Sequence, residues 1–322
     1  MRRGWITATA ALVAALLVSP TAGAADGACG SLTSSVTQAV DAQVISNIYA
    51  NELSGREVSQ DLAQIAAAPD LLAGVAADAP AATFKAVKRI VYHHGWHIVR
   101  LRVLDASGKL LADFGGPFVV APVRGILRSA SGAKIGSFVM SVQDDAGIAK
   151  LENRFVGDAV AVYYNTHPVV EVGGVFFPRA MPRGTALTVR GVRYTVQKLT
   201  YNAFPTGTLT MVILVPPVSS AVASEPCATV RTGEFGRVAR RLTTLLGPIT
   251  QHYYGYTYWV HLYTGAAVYV RNPDGSQIAS SDGTDPDDLP IAGAATVNGQ
   301  SYLVFSFEPK PPVRVYLLVA PA

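Results

Sequence analysis

The sequence predicts an α+β protein assembled from tandem units, each an antiparallel sheet of about five strands with helices packed on one face, and with a long helix ahead of the first sheet. Three observations predict it. A sentence is repeated: Ala186 to Pro217 and Ala294 to Ala322 both carry Val-x-Gly-x-x-Tyr (Val189 to Tyr194, Val297 to Tyr302). Each copy continues as an alternating strand, passes a Pro-containing turn and ends in a second strand closed by Val-x-Pro. The apolar spacing changes from a period of about 3.6 to about 2 near His97. Hairpin turn sequences recur at 105–108, 165–168 and 272–275.

The chain opens on a secretory signal pattern at 1–24: Arg2 and Arg3, an apolar run from Ala8 to Val18, and the small-residue site Ala22-Gly-Ala24, with the cut expected after Ala24. From 33 to 53, Val36, Val40, Val44, Ile45 and Ile48 share one helix face, with Ser31 or Thr33 as the cap. Val58, Leu62 and Ile65 mark a second helix. Phe84, Val87, Ile90 and Val91 give the apolar face of another over 80–93, with Gly95 as its stop. Segments 97–105 and 109–113 then alternate as a hairpin, and 118–127 and 135–143 as a second one around Ser131-Gly132. A short helix over 145–154 leads to strands at 159–164 and 169–172 and to the first copy of the repeat. A Ser/Ala/Pro stretch follows at 219–226. Phe235, Val238, Leu242 and Leu245 form the face of a helix over 232–246, stopped by Gly247-Pro248. Segments 256–263, 266–271 and 277–280 read as strands, 282–288 as an acidic loop, and the second copy of the repeat follows. The expected organisation is a signal peptide at 1–24, N-terminal helices and the first unit at 25–155, a second unit at 156–218, a linker at 219–231, and a helix with the third unit at 232–322.

The stretch Val103-Leu-Asp-Ala-Ser-Gly-Lys-Leu-Leu-Ala-Asp113 resembles the opening hairpin of Cache sensor domains. Pro122-Val-Arg-Gly with Gly132-Ala-Lys-Ile-Gly-Ser-Phe-Val-Met-Ser-Val142 resembles their closing hairpin, and the long N-terminal helix is typical of them. The resemblance covers most of the mature chain in plan. It implies tandem PAS-like units and extracytoplasmic binding of a small molecule such as an amino acid, carboxylate or amine. Cache domains usually sit between two membrane helices and feed an intracellular output domain, and neither pattern is seen here. The family's amino-acid-binding pattern is not matched, so no ligand residues are carried over.

Half of the residues are apolar and 15% are charged, so a sizeable core is available. Without Arg2 and Arg3 the 26 basic residues fall to 24 against 22 acidic ones, a net charge of +2. This gives no electrostatic case for nucleic acid or an anionic membrane. Beyond the signal, no apolar run reaches the roughly 18 residues of a spanning helix, so no membrane insertion is expected after signal removal. Cys29 and Cys227 are the only cysteines, and in an oxidising compartment they are expected to pair, two buried free thiols being the alternative.

Arg100 and Arg102 alternate with Val99, Leu101 and Val103. If the apolar face packs on helices, the guanidiniums point to the other, concave side, where they would grip a carboxylate. Tyr92, Trp96 and Arg124 complete this candidate ligand site, with a solvated strand face as the competing reading. His93, His94 and His97 cluster but lack acidic or cysteine partners nearby. They read as a helix C-terminus, and no metal or cofactor is expected. Asp282, Asp285, Asp287 and Asp288 lack the ordered spacing of a calcium loop and read as solvated acids. Asp144, Asp145 and Glu152 read as capping and surface residues, and no hydrolase, metalloprotease or nucleotide-binding motif is found. The sequence is therefore read as a secreted, non-enzymatic, sensor-like protein that binds a small organic ligand through a PAS/Cache-like unit. Without an output domain of its own, it signals through a protein partner or sequesters the ligand. The alternative is a structural or surface interaction protein of repeated bricks, with Tyr253, Tyr254, Tyr256, Tyr258, Trp259 and Tyr263 forming the contact.

Overall fold

The computed structural model describes residues 28–245, 252–310 and 312–321, and the expected signal peptide lies outside them. After a 3-10 turn at Gly30–Leu32 come α1 (Thr33–Ser54), α2 (Arg56–Ala67), α3 (Pro69–Ala76) and α4 (Pro80–Val91). The first unit contains β1 (Arg100–Asp105), β2 (Leu110–Gly115), β3 (Val119–Val120), β4 (Val123–Arg128) and β5 (Lys134–Ser141), and β6 (Gln143–Asp144) follows. Next, α5 (Asp145–Val156) enters a second unit of β7 (Ala159–Tyr164), β8 (His167–Val172), β9 (Ala186–Val189), β10 (Val192–Asn202) and β11 (Thr208–Val215). Helices α6 (Ser220–Ala223), α7 (Cys227–Leu245) and α8 (Tyr253–Thr264) precede the third unit. That unit comprises β12 (Ala267–Arg271), β13 (Gln277–Ser280), β14 (Ala292–Val297), β15 (Gln300–Lys310) and β16 (Val313–Val319).

The strand orders are β2-β1-β5-β4, β8-β7-β11-β10-β9 and β13-β12-β16-β15-β14, with every pairing antiparallel. Numbered within its unit, each of the last two sheets runs 2-1-5-4-3. The first follows the same order, except that its third strand, β3, pairs with β6 instead. This is the predicted α+β class, antiparallel sheets of four or five strands with a long N-terminal helix. The repeated sentence supplies the third, fourth and fifth strands of units two and three. Its Val-x-Gly-x-x-Tyr signature is a two-residue hairpin: Arg190-Gly191 has φ of 49° and 80°, and Asn298-Gly299 has 52° and 76°. Two successive positive φ values make the type I′ turn that matches strand twist, which is why glycine recurs at the second position.

Two cores result. On the first sheet, Leu101, Val103, Phe138 and Met140 meet Val58, Ile65, Leu71 and Val87 of α2, α3 and α4. A second, larger core joins the inner faces of the other two sheets through four helices: Val44 and Ile48 of α1, Ile148 and Val156 of α5, Phe235 and Val238 of α7, and Val260 of α8. The long N-terminal helix packs in this second core, beside α5, α7 and α8. Helices α2 to α4 already close the first sheet, and the apolar face of α1 is left for the shared layer. Neither Ser31 nor Thr33 caps α1. Leu32 holds the cap position, and the Thr33 hydroxyl donates to the Gly30 carbonyl.

Two further expectations are corrected. Segment 256–263 is helical, as the body of α8, not a strand. Its buried residues Tyr256, Thr257, Val260, Tyr263 and Thr264 follow the helical repeat, and the local strand preference of Tyr and Trp yields to that burial pattern. Gly265, at φ 73°, closes the helix in the left-handed conformation. Segment 219–231 is not an open linker, since it contains α6 and the first turn of α7. Cys227 is the first residue of α7 and is bonded to Cys29 across a separation of 198 residues, which staples the approach to α1 onto the shared helix layer.

Candidate functional site

Pairing places Arg102 opposite Asp113 on one side and Val139 on the other, and Arg124 opposite Val139. Arg100, Arg102 and Arg124 thus share the face away from the helices, while Leu101, beside Phe114 and Met140, faces them. Arg100 clamps Asp113 with Nε on Oδ1 and Nη2 on Oδ2, both at 2.8 Å, and Arg102 donates Nε to Oδ2 at 2.8 Å. Burial pushes the Asp113 carboxyl up, but hydrogen bonds from Arg100 and Arg102 outweigh it and hold the group below its ordinary value. Phe204, in the β10–β11 turn of the second unit, lies 5.4 Å from the Arg100 guanidinium and 4.7 Å from that of Arg102. Its backbone exchanges hydrogen bonds with Val119 at 3.4 and 3.2 Å. Here the two guanidiniums form a joint between units. Arg124 stays exposed.

Tyr92 and Trp96 lie on the opposite side. Tyr92 meets Phe114 at 5.3 Å, and Trp96 packs on His93 at 5.0 Å and on the helix-side core. The five expected ligand residues therefore do not converge, because the first sheet divides them. His97 pairs with Glu57, and His93 Nδ1 accepts from the Gly95 amide. Among the described residues, no three His, Cys, Asp or Glu side chains come together as a metal-binding set. The acidic loop folds back on the third sheet, where Tyr269 donates to Asp282 at 2.7 Å and Arg271 pairs with Asp285 at 3.0 Å.

The third unit carries a cleft of about 410 Å³, lined by Arg240 and Thr243 of α7, by Ile291, by Ser306, Phe307, Glu308 and Pro309 of β15, and by Arg314 of β16. Arg240 lies over Phe305 at 4.9 Å and Phe307 at 5.4 Å. Gly236, one helical turn earlier on the same face, permits this geometry. A Cβ there would come within 2.3 Å of the Phe305 ring, so only glycine lets α7 approach so closely. The cleft's hydroxyls are engaged: Thr243 donates to the Arg240 carbonyl and Ser306 to that of Ile291. Arg314 is paired with Glu308. Among the described residues, no carboxylate lies within ion-pairing distance of Arg240. An unneutralised guanidinium on an aromatic floor suits an organic anion. The sequence reading missed this site. Its signals were the Gly236-x-x-x-Arg240 spacing on a predicted helix and Phe305-x-Phe307 on a predicted strand.

A second groove of about 550 Å³ runs along α4 and is lined by Lys85, Lys88, Arg89, Tyr92, His93 and His94. Inside the shared layer lie four carboxylates, Asp41, Glu52, Glu152 and Asp158. Asp41 accepts from Arg237 at 2.8 Å, and burial, then the neighbouring Asp158 charge, push its carboxyl up to about 8. Burial likewise raises Glu52 to about 7 and Glu152 well above its ordinary value. Glu152 is fully buried and neither of its oxygens has a hydrogen-bond partner, which overturns its reading as a surface residue. The signal was present in α5, where Glu152 continues the stripe of Ile148, Ala149, Phe155 and Val156. Asp144 does cap α5, accepting from the Gly147 amide.

The sequence matches no protein-family profile and no curated protein. Among solved structures, the periplasmic domain of Vibrio cholerae LuxQ aligns over 57% of this chain and 98% of its own, at 11% identity and a TM-score of 0.34. An extracellular ligand binding receptor from Desulfohalobium retbaense aligns over 82% of this chain and 39% of its own, at 11% identity and a TM-score of 0.16. The periplasmic sensory domain of the Campylobacter jejuni chemoreceptor Tlp1 aligns over 89% and 96%, at 10% identity and a TM-score of 0.14. All three scores are low, and the fold assignment rests on this chain's own strand order.

Proposed function

We propose that this protein is an extracytoplasmic, sensor-like binder that takes a small organic carboxylate in the cleft of its third unit. The observation that carries the proposal is Arg240, unneutralised among the described residues and stacked on Phe305 and Phe307 at the cleft wall. The carboxylate would meet the guanidinium edge, and the ligand's apolar part would meet Phe307 and Ile291. The pairing of Cys29 with Cys227 and the signal pattern at 1–24 both fit an oxidising compartment outside the cytoplasm. In this reading Arg100 and Arg102 hold the first unit to the second instead of touching ligand, so an event in one unit is felt by the next.

The test is isothermal titration of the mature protein with a panel of aliphatic and aromatic carboxylates, amino acids and amines, supported by melting curves. A ligand at 100 times its Kd adds about 2.7 kcal/mol of stability and raises the melt by several degrees. Arg240→Ala is expected to abolish the response, whereas Arg124→Ala, on the far face of the first sheet, leaves it intact. A carboxylate that binds Arg240→Ala as tightly as the parent protein would overturn the site, and a panel in which only amines bind would overturn the ligand class.

A further inference from the structure

We propose that the α4 groove of one copy receives the 285–291 loop of a second copy, so that the protein associates head to tail. The groove is cationic. Among the described residues, Lys85, Lys88, His93 and His94 have no carboxylate within ion-pairing distance, and Lys88 rests over the Tyr92 and Phe114 rings at 5.9 and 6.0 Å. Only Arg89 is shared, with an Asp70 that is itself 66% exposed. The groove also shows apolar surface in Tyr92, at 65% exposure, and Phe84 on the same helix is 42% exposed and packs edge-on against Phe114 at 5.7 Å.

The loop offers the complement. Asp287 and Asp288 are exposed and unpaired among the described residues, and Ile291, three residues beyond Asp288, is 62% exposed. Arg271, which holds Asp285 and the Pro286 carbonyl, and Tyr269, which holds Asp282, fix the loop against the third sheet. A pre-formed acidic tip loses little conformational freedom on docking. The groove lies on the first unit and the loop on the third, and among the described residues no ion pair joins them. Two different patches meeting between copies make a heterologous contact, which propagates into a chain or closes into a ring. A planar anionic membrane fits the groove less well, because the exposed carboxylate of Asp70 stands beside its Arg89.

Sedimentation velocity of the mature protein across a concentration series, at low and high sodium chloride, tests this. Concentration-dependent association at low salt that weakens at high salt is expected. Lys88→Glu and Asp287→Lys, both at exposed positions, should each weaken it by about tenfold or more, with melting curves confirming an unchanged fold. Mixing the two variants should restore association, because the reversed charges then meet. A protein that stays monomeric at low salt, or association that neither variant changes, overturns the proposal. A monomer that sediments with phosphatidylglycerol vesicles overturns it in favour of the membrane. Arg240→Ala should associate normally, which separates this contact from the carboxylate site.

Discussion

In the first unit the helix side of the sheet is apolar, built from Leu101, Val103, Phe138 and Met140, and the charge sits on the other face, where Arg100 and Arg102 share Asp113. The second and third units bury apolar side chains on both faces. Their faces away from the helices bury Tyr163, Val212 and Leu214, or Tyr269, Val304 and Leu318, while Asp41, Glu52, Glu152 and Asp158 lie within the helix layer. The difference follows from what covers each face. In the last two units the segment between the second and third strands folds back over the sheet: Tyr163 donates to the Pro178 carbonyl at 2.7 Å, and Tyr269 to Asp282 at 2.7 Å. In the first unit that segment is short, and the cover is a turn of the neighbouring unit that ends in Phe204. A small cover leaves charges partly solvated and therefore tolerable, whereas a long lid excludes water and favours apolar side chains.

The largest way to break this contrast is at the disulfide, which constrains the shared helix layer and not the first core. Replacing Cys29 and Cys227 by Ser removes a cross-link over 198 residues, worth about 5 kcal/mol in the chain-entropy account. The melt should fall by ten degrees or more (about 2–4 °C per kcal/mol), and hydrogen exchange should rise in α1 and α7 before it rises in β1 or β5. A uniform rise would show that the two cores are not separable.

Next comes Asp113→Ala, which leaves Arg100 and Arg102 side by side without a counter-ion. The side chains are 13% and 26% exposed, so a loss of about 2 kcal/mol is expected, below the figure for a fully buried pair. Denaturant midpoints measure it, and a loss below about 0.5 kcal/mol would mean that the joint behaves as an ordinary surface pair.

A graded effect, spread over several pH units, lies in the pH dependence. Folded Glu52 and Asp41, raised to about 7 and about 8, keep protons that the unfolded chain has released. Stability therefore falls as pH rises from the ordinary carboxylate range toward those values. Glu152→Gln removes one such group, so its decline should be shallower by up to about 1.4 kcal/mol per pH unit. Parent and variant should melt together near pH 4 and diverge above it, with the variant higher. Parallel curves would place an ionised Glu152 in the folded protein.

Much of the fold was legible because its signals are local. Asn298-Gly299 can make only a few turns, and the alternation in Val313-Arg-Val-Tyr-Leu-Leu-Val319 predicts a strand whose bounds match β16. The segment 256–263 was misread because Tyr and Trp favour strands in isolation, and the burial that makes it a helix comes from distant Ile45 and Phe155 in the same core. The candidate site was less legible still. Arg100 and Arg102 were placed correctly on one strand face, but nothing near them in sequence announced Phe204, about a hundred residues on. Arg240 and Phe305 drew no notice because they lie 65 residues apart in the chain.

By itself the sequence determined the period of each strand, the hairpin turns, the pairing of its only two cysteines and the repetition of one unit, since sterics and burial periodicity act over a few residues. Only the tertiary structure decided which face each neighbour covers, and with it which charges stay wet, which carboxylates hold protons, and that Arg240 is left to face a cleft. Those outcomes depend on solvent exclusion by groups far apart in the chain.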